Sequence, residues 1–107
     1  MTLRHTEKRR HPRQEVFNAV MIARNHRDRH SAMALDLSAG GVRIGLLDGW
    51  RPTVGSAVRI SFLFYADHMT VLEGRVTRIS DDELGVEFSP AQEKPIGHLL
   101  DVVSRFH

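Results

Sequence analysis

The sequence predicts an all-β-dominated domain, a six-stranded antiparallel β-barrel followed by one C-terminal α-helix. Three observations carry that expectation. Six short runs alternate apolar and polar residues, and turn-forming residues separate them. A final stretch changes to helical spacing. The 107 residues suffice for one domain with one core.

The first strand begins at Glu15 and holds Val16, Phe17, Ala19, Val20, Met21 and Ile22. A polar turn, Arg24 to Asp28, leads to a second run from Arg29 to Leu37. There Met33, Leu35 and Leu37 alternate with Ala32, Ala34 and Asp36. Ser38-Ala39-Gly40-Gly41 breaks the run, and Val42, Ile44 and Leu46 then mark a short third strand. A loop through Asp48, Gly49, Trp50 and Pro52 ends near Gly55. Trp50 is expected to pack over a barrel opening rather than to offer a stacking platform. Val58, Ile60, Phe62 and Phe64 alternate cleanly in the fourth strand, and Ala66-Asp67-His68 forms a hairpin turn. The fifth strand runs from Met69 to Ile79. Gly74 inside it suggests a bulge or a barrel corner. Leu84, Val86 and Phe88 share a face of the sixth strand. Ile96, Leu99, Leu100, Val103 and Phe106 then form the apolar stripe of the helix.

Composition excludes several function classes. There is no cysteine, hence no disulfide framework, thiolate metal site or cysteine nucleophile. No apolar run is long enough for a membrane helix, and residues 1–16 contain no apolar signal core. The expected setting is cytoplasmic. No nucleophile, base and orienting group fall into a readable set, so an enzyme is not expected. His26 and His30 are four apart, a spacing that converges on a metal only in a helix, and this stretch reads as a hairpin.

The net charge of +2 hides an uneven distribution. Residues 1–30 carry eight bases and three acids, a net +5, and the remainder carries −3. All the bases except Lys8 and Lys94 are arginine, the residue suited to planar recognition of phosphates and bases. Residues 1–14 read as a flexible basic arm, and residues 15–107 as the barrel plus helix. Two motifs stand out. Arg9 and Arg13 lie four residues apart on a segment stiffened by Pro12, and an anion between them would relieve their repulsion. Asp36 and Ser38 lie two apart at a strand end, ahead of Gly40-Gly41. A carboxylate there can accept from a guanine edge, and glycine lets backbone or ligand approach closely. Each motif alone has a plainer reading, as a solvated basic tail or as an Asx or Ser turn.

Together, Arg9-xxx-Arg13 and Asp36-x-Ser38-xx-Gly41 resemble the signature of the PilZ domain, a bacterial receptor for cyclic di-GMP. The resemblance extends over nearly the whole chain, including the expected order of strands and helix. It implies that Arg9 and Arg13 clamp the ligand, that Asp36 and Ser38 read a guanine, and that Gly41 shapes the turn beneath it. Arg10 becomes an extra contact, and Arg78 on the fifth strand a candidate to pack on a guanine, its plainer role being a pair with Asp81 or Asp82. Lys8 stands where arginine in the family goes with an intercalated ligand pair, which leaves stoichiometry open. By the same resemblance the arm orders on ligand binding, and an unidentified effector protein in motility, adhesion or exopolysaccharide control reads the change. A nucleic-acid-binding barrel is the less expected alternative, because the acidic remainder repels a long polyanion. A ligand-independent interaction module of the same fold is the other.

Overall fold

The computed structural model describes residues 12–65 and 68–106. Six strands come first: β1 (Gln14–Asn25), β2 (Asp28–Leu37), β3 (Gly41–Leu46), β4 (Ala57–Tyr65), β5 (His68–Ile79) and β6 (Glu83–Phe88). The helix α1 (Glu93–Phe106) follows. The strands close into a barrel in the order β1-β2-β3-β6-β5-β4, and every neighbouring pair is antiparallel. No helix among the described residues is long and apolar enough to cross a membrane.

The alternation seen in the sequence fills the barrel. Val20 and Ile22, Val42 and Ile44, Ile60 and Phe62, and Leu84 and Val86 all point inward and are buried. β2 contributes small side chains, Ala32 and Ala34, which fit a narrow interior beside the larger groups of the other strands. Fully burying one such aliphatic side chain contributes about 1.5–3 kcal/mol. From α1, Leu99 and Val103 enter the same core, with Ile96 and Leu100 packed at its margin. Val102, outside the stripe read from the sequence, is buried as well. Gln92 ties the helix entry to the barrel: its amide accepts from Glu73 N–H at 2.8 Å and donates to the Glu73 carbonyl at 2.8 Å.

Two bulges change which way residues face. Within β2, Ala34 pairs with Ile44 of β3, and Asp36 pairs with Arg43, so Leu35 is the extra residue. The strand therefore changes phase: Ala32 and Ala34 face in before it, Leu37 faces in after it, and Asp36 turns outward. β5 repeats the device. Val76 pairs with Val86 and Arg78 with Gly85, leaving Thr77 as the extra residue. Arg78 is thereby directed outside. Of the two readings of Gly74, a bulge or a barrel corner, the bulge is not what forms. Gly74 pairs regularly with Val58 and Phe88. A β-carbon on it would lie 2.6 Å from the Glu87 carbonyl oxygen, so glycine here permits close approach of two backbones.

At the end of the β1–β2 hairpin, His30 lies between two carboxylates. Its Nδ1 is 2.6 Å from Asp48 and its Nε2 is 2.7 Å from Asp28. Its ring stacks on Trp50 with centroids 4.3 Å apart. Trp50 packs against the core, as expected, and its indole N–H also donates to Asp28 at 3.3 Å. The cluster fastens the hairpin to the loop after β3. Burial pushes the His30 pKa down, but the hydrogen bonds to Asp48 and Asp28 outweigh it, and the net shift is upward. Asp28 and Asp48 are both lowered, chiefly by their hydrogen bonds to His30.

These shifts define a pH window. A raised histidine stabilises fully below its ordinary value of 6.5 and loses that contribution as pH rises through the folded value. Lowered carboxylates stabilise above 3.8 and lose it as pH falls through theirs. Between about pH 6 and about pH 9, the melting temperature of the wild type should therefore fall relative to that of His30→Gln. A constant difference across that range, measured by circular dichroism, would contradict the upward shift of His30 in the clamp.

Candidate functional site

The turn between β2 and β3 is built by its serine. Ser38 N–H donates to the Gly41 carbonyl at 2.9 Å, and Ser38 Oγ accepts from Gly40 N–H at 3.2 Å. This is the hydroxyl-supported turn that competes with regular structure, and Ser38 is buried within it. Phe88 N–H then donates to the Gly40 carbonyl at 2.9 Å, which holds the turn against the end of β6. Gly41 is required sterically, because a β-carbon there would run into the Val86 carbonyl.

Asp36, turned outward by the bulge at Leu35, accepts from two arginines. Arg13 places Nε and Nη2 each 2.8 Å from Oδ1. Arg43 places Nε 2.7 Å from Oδ2 and extends Nη1 to Glu83 at 2.8 Å. Hydrogen bonds to Asp36, then to Glu83, hold the Arg43 guanidinium well above its ordinary pKa. The carboxylate is nearly enclosed, with a side-chain exposure of 12% against 33% for each arginine. Arg13, just ahead of β1, is thereby anchored to β2 and β3.

On β5, Arg78 has room to lie along Gly85 of β6. A β-carbon on Gly85 would meet Arg78 Cβ at 3.4 Å and Nε at 3.6 Å. Thr77 Oγ1 donates to the Gly85 carbonyl at 3.2 Å and secures the bulge. Among the described residues, Arg78 makes no ion pair with Asp81 or Asp82.

Arg13, Ser38, Gly41 and Arg78 line one open groove of about 410 Å3, together with Gly40, Thr77, Gly85 and Glu87. Small-molecule sites usually span roughly 300–1,000 Å3. Four of the residues picked from the sequence thus meet in one place. Asp36 stands behind Arg13 rather than in the wall. Arg9 and Arg10 lie outside the described residues. Arg43 was not singled out by sequence reasoning. The available signal was a lone arginine between inward-facing Val42 and Ile44, two residues past the glycine motif.

The family comparison decides what this arrangement belongs to. The family model described as the PilZ domain matches residues 7–105. The chain belongs to the PilZ domain family. Solved PilZ structures share the fold. The PilZ domain of Escherichia coli YcgR with cyclic di-GMP has a TM-score of 0.75 at 16% identity, with 92% of each chain covered. The PilZ domain of CeSA from a cellulose-synthesizing bacterium has a TM-score of 0.70 at 15% identity, covering 89% of this chain and 97% of that one. The Bacillus subtilis inhibitor of motility, MotI or DgrA, has a TM-score of 0.73 at 21% identity and covers 92% of this chain. This chain spans 50% of that protein. Among curated protein sequences, none matches significantly.

The close backbone approach at the PilZ turn is directly measurable. Gly41→Ala should cost about 2 kcal/mol, since the obstructing atom is backbone and cannot swing aside. That corresponds to a fall in Tm of roughly 10 °C. Gly97→Ala, where nothing lies within 4 Å of the added carbon, should leave Tm unchanged or raise it. Equal melting of the two variants would contradict the geometry.

Proposed function

We propose that this PilZ domain is a receptor for cyclic di-GMP and acts as an adaptor, passing ligand occupancy to an effector protein. One observation carries the reading. Arg13, the Ser38–Gly41 turn and Arg78 come from three separate segments and converge on one groove. The YcgR PilZ domain, which shares this fold, was solved with cyclic di-GMP.

Each side chain has a chemical task in this reading. Arg13 uses two of its five N–H donors on Asp36 and keeps the rest for a phosphate. Asp36, clamped from the other side by Arg43, sets the direction in which Arg13 points. Arg78 offers the flat face of its guanidinium to a purine, a contact lysine cannot make. Ser38 and Gly41 keep the turn low so that the ligand can lie on the barrel wall. Arg9 and Arg10 supply further donors, and the ligand joins the arm to the barrel. The surface that results, changed in shape and charge, is what the effector reads.

Titration calorimetry tests the assignment. Wild type should bind cyclic di-GMP saturably. Arg13→Ala should weaken binding at least about tenfold, because charge-assisted hydrogen bonds to phosphate are the strong ones. Arg78→Ala should weaken it by a smaller factor, and Asp101→Ala, on the exposed side of the helix, not at all. A wild type that gives no binding heat would overturn the function. An Arg13→Ala variant with unchanged affinity would overturn the site.

A further inference from the structure

A second surface lies across the barrel from the ligand groove. The groove occupies the β3–β6–β5 side. The opposite wall is formed by β2, β1, β4 and β5, with β1 and β4 at its centre. The pairing register defines its outward rows. Met33 faces Ala19 across β2 and β1, and Leu63 faces Met69 across β4 and β5. The next row is Ser31, Met21, Ser61 and Val71. The third is Arg29, Ala23, Arg59 and Glu73.

This wall grades from apolar to basic. Phe17 on β1 is 69% exposed, Met69 61%, Leu63 42% and Val71 39%. Leu63, Met69 and Val71 are neighbours on β4 and β5, and large apolar groups so exposed and adjacent are uncommon on a surface that meets only water. Methionine adds adaptability to such a patch. At the other end a groove of about 540 Å3 runs between Met21 and Val71 and is edged by Arg24, Arg29 and Arg59. Arg24 pairs with Asp28 and Arg59 with Glu73. Among the described residues, Arg29 has no ion pair. Three guanidiniums thus face the groove against one lining carboxylate, Glu73.

We propose that this wall is a protein-docking surface, and that its occupant is a partner segment carrying apolar side chains next to carboxylates. The apolar rows would take the former, and Arg29 with its neighbouring guanidiniums the latter. Charge argues against a second copy of this chain, because two such walls would bring unpaired arginines together with no free acid between them. A membrane is disfavoured by form: the basic groups edge a groove instead of a protruding apolar tip. The barrel is closed, so the partner must be held through side chains and not by added strand pairing.

The test uses a display library of random 16-residue peptides, selected on the full chain without cyclic di-GMP. Ligand binding and docking can therefore fail separately. Selected peptides should combine apolar residues with Asp or Glu. Fluorescence anisotropy should show at least tenfold weaker binding to Met69→Lys and to Arg29→Glu, while Arg13→Ala binds as the wild type does. Changing the peptide's acids to lysine should restore binding to Arg29→Glu. Both positions are exposed, and matching melting curves verify the folds. The proposal is overturned by peptides lacking acids, or by peptides that bind either variant as tightly as they bind the wild type. It is also overturned if sedimentation shows a wild-type dimer that Met69→Lys dissolves, or if the wild type, but not Met69→Lys, pellets with anionic vesicles.

Discussion

A narrow six-stranded barrel has no room inside for an ion. Its interior is lined with Val, Ile, Leu, Ala and Phe, and a charge placed there would lose its hydration with no partner to replace it. Strict alternation along β2 would nevertheless point Asp36 inward with Ala32 and Ala34, and along β5 would point Arg78 inward with Val76. Each strand takes up one extra residue immediately before the charged one. The bulges resolve the conflict between pattern and chemistry, and they do more. They leave an acid and a base outside, on strands that flank β3 and β6, where the glycine turn already lies. The groove follows from keeping the core dry.

Charge pairing then stiffens what the bulges expose. Asp36 by itself would be an unpaired anion close to the groove. With Arg13 on one oxygen and Arg43 on the other, it becomes a fixed support for the guanidinium that faces the groove. Glu83 takes the far end of Arg43, so the support reaches from β1 to β6. Such partly buried pairs add little net stability, and their value lies in direction. Holding Arg13 in place reduces the entropy lost when an anion meets it.

Much of the architecture was legible in the residues. The clean alternation of Val58, Ile60 and Phe62 marked β4, and the stripe through Leu99 and Val103 marked the helix. Both depend on local period alone. The bulges were not legible, because a skipped residue is defined by the strand opposite, and Leu35 and Thr77 look ordinary in line. The bulge reading of Gly74 fails for the same reason: the adjacent strand β6, not its own strand, demands the missing side chain. Arg43 was overlooked because its importance comes from pairing with Asp36. Within the candidate site, the glycine motif and Arg78 could be picked out in the chain, whereas the ion-pair support could not.

Closure of the barrel has an implication for how such a domain changes over time. Every strand has two neighbours, so inward residues and backbone pairing determine the shape, while outward residues are nearly free of that duty. Shared shape at only 15–21% identity is what this division allows. Outward residues on one wall can change without disturbing the other wall or the frame between them. β5 belongs to both walls, with Met69 and Val71 on one and Arg78 on the other. β2 is shared as well, with Ser31 and Met33 on one side and Asp36 behind the groove, so on these two strands such changes are not independent.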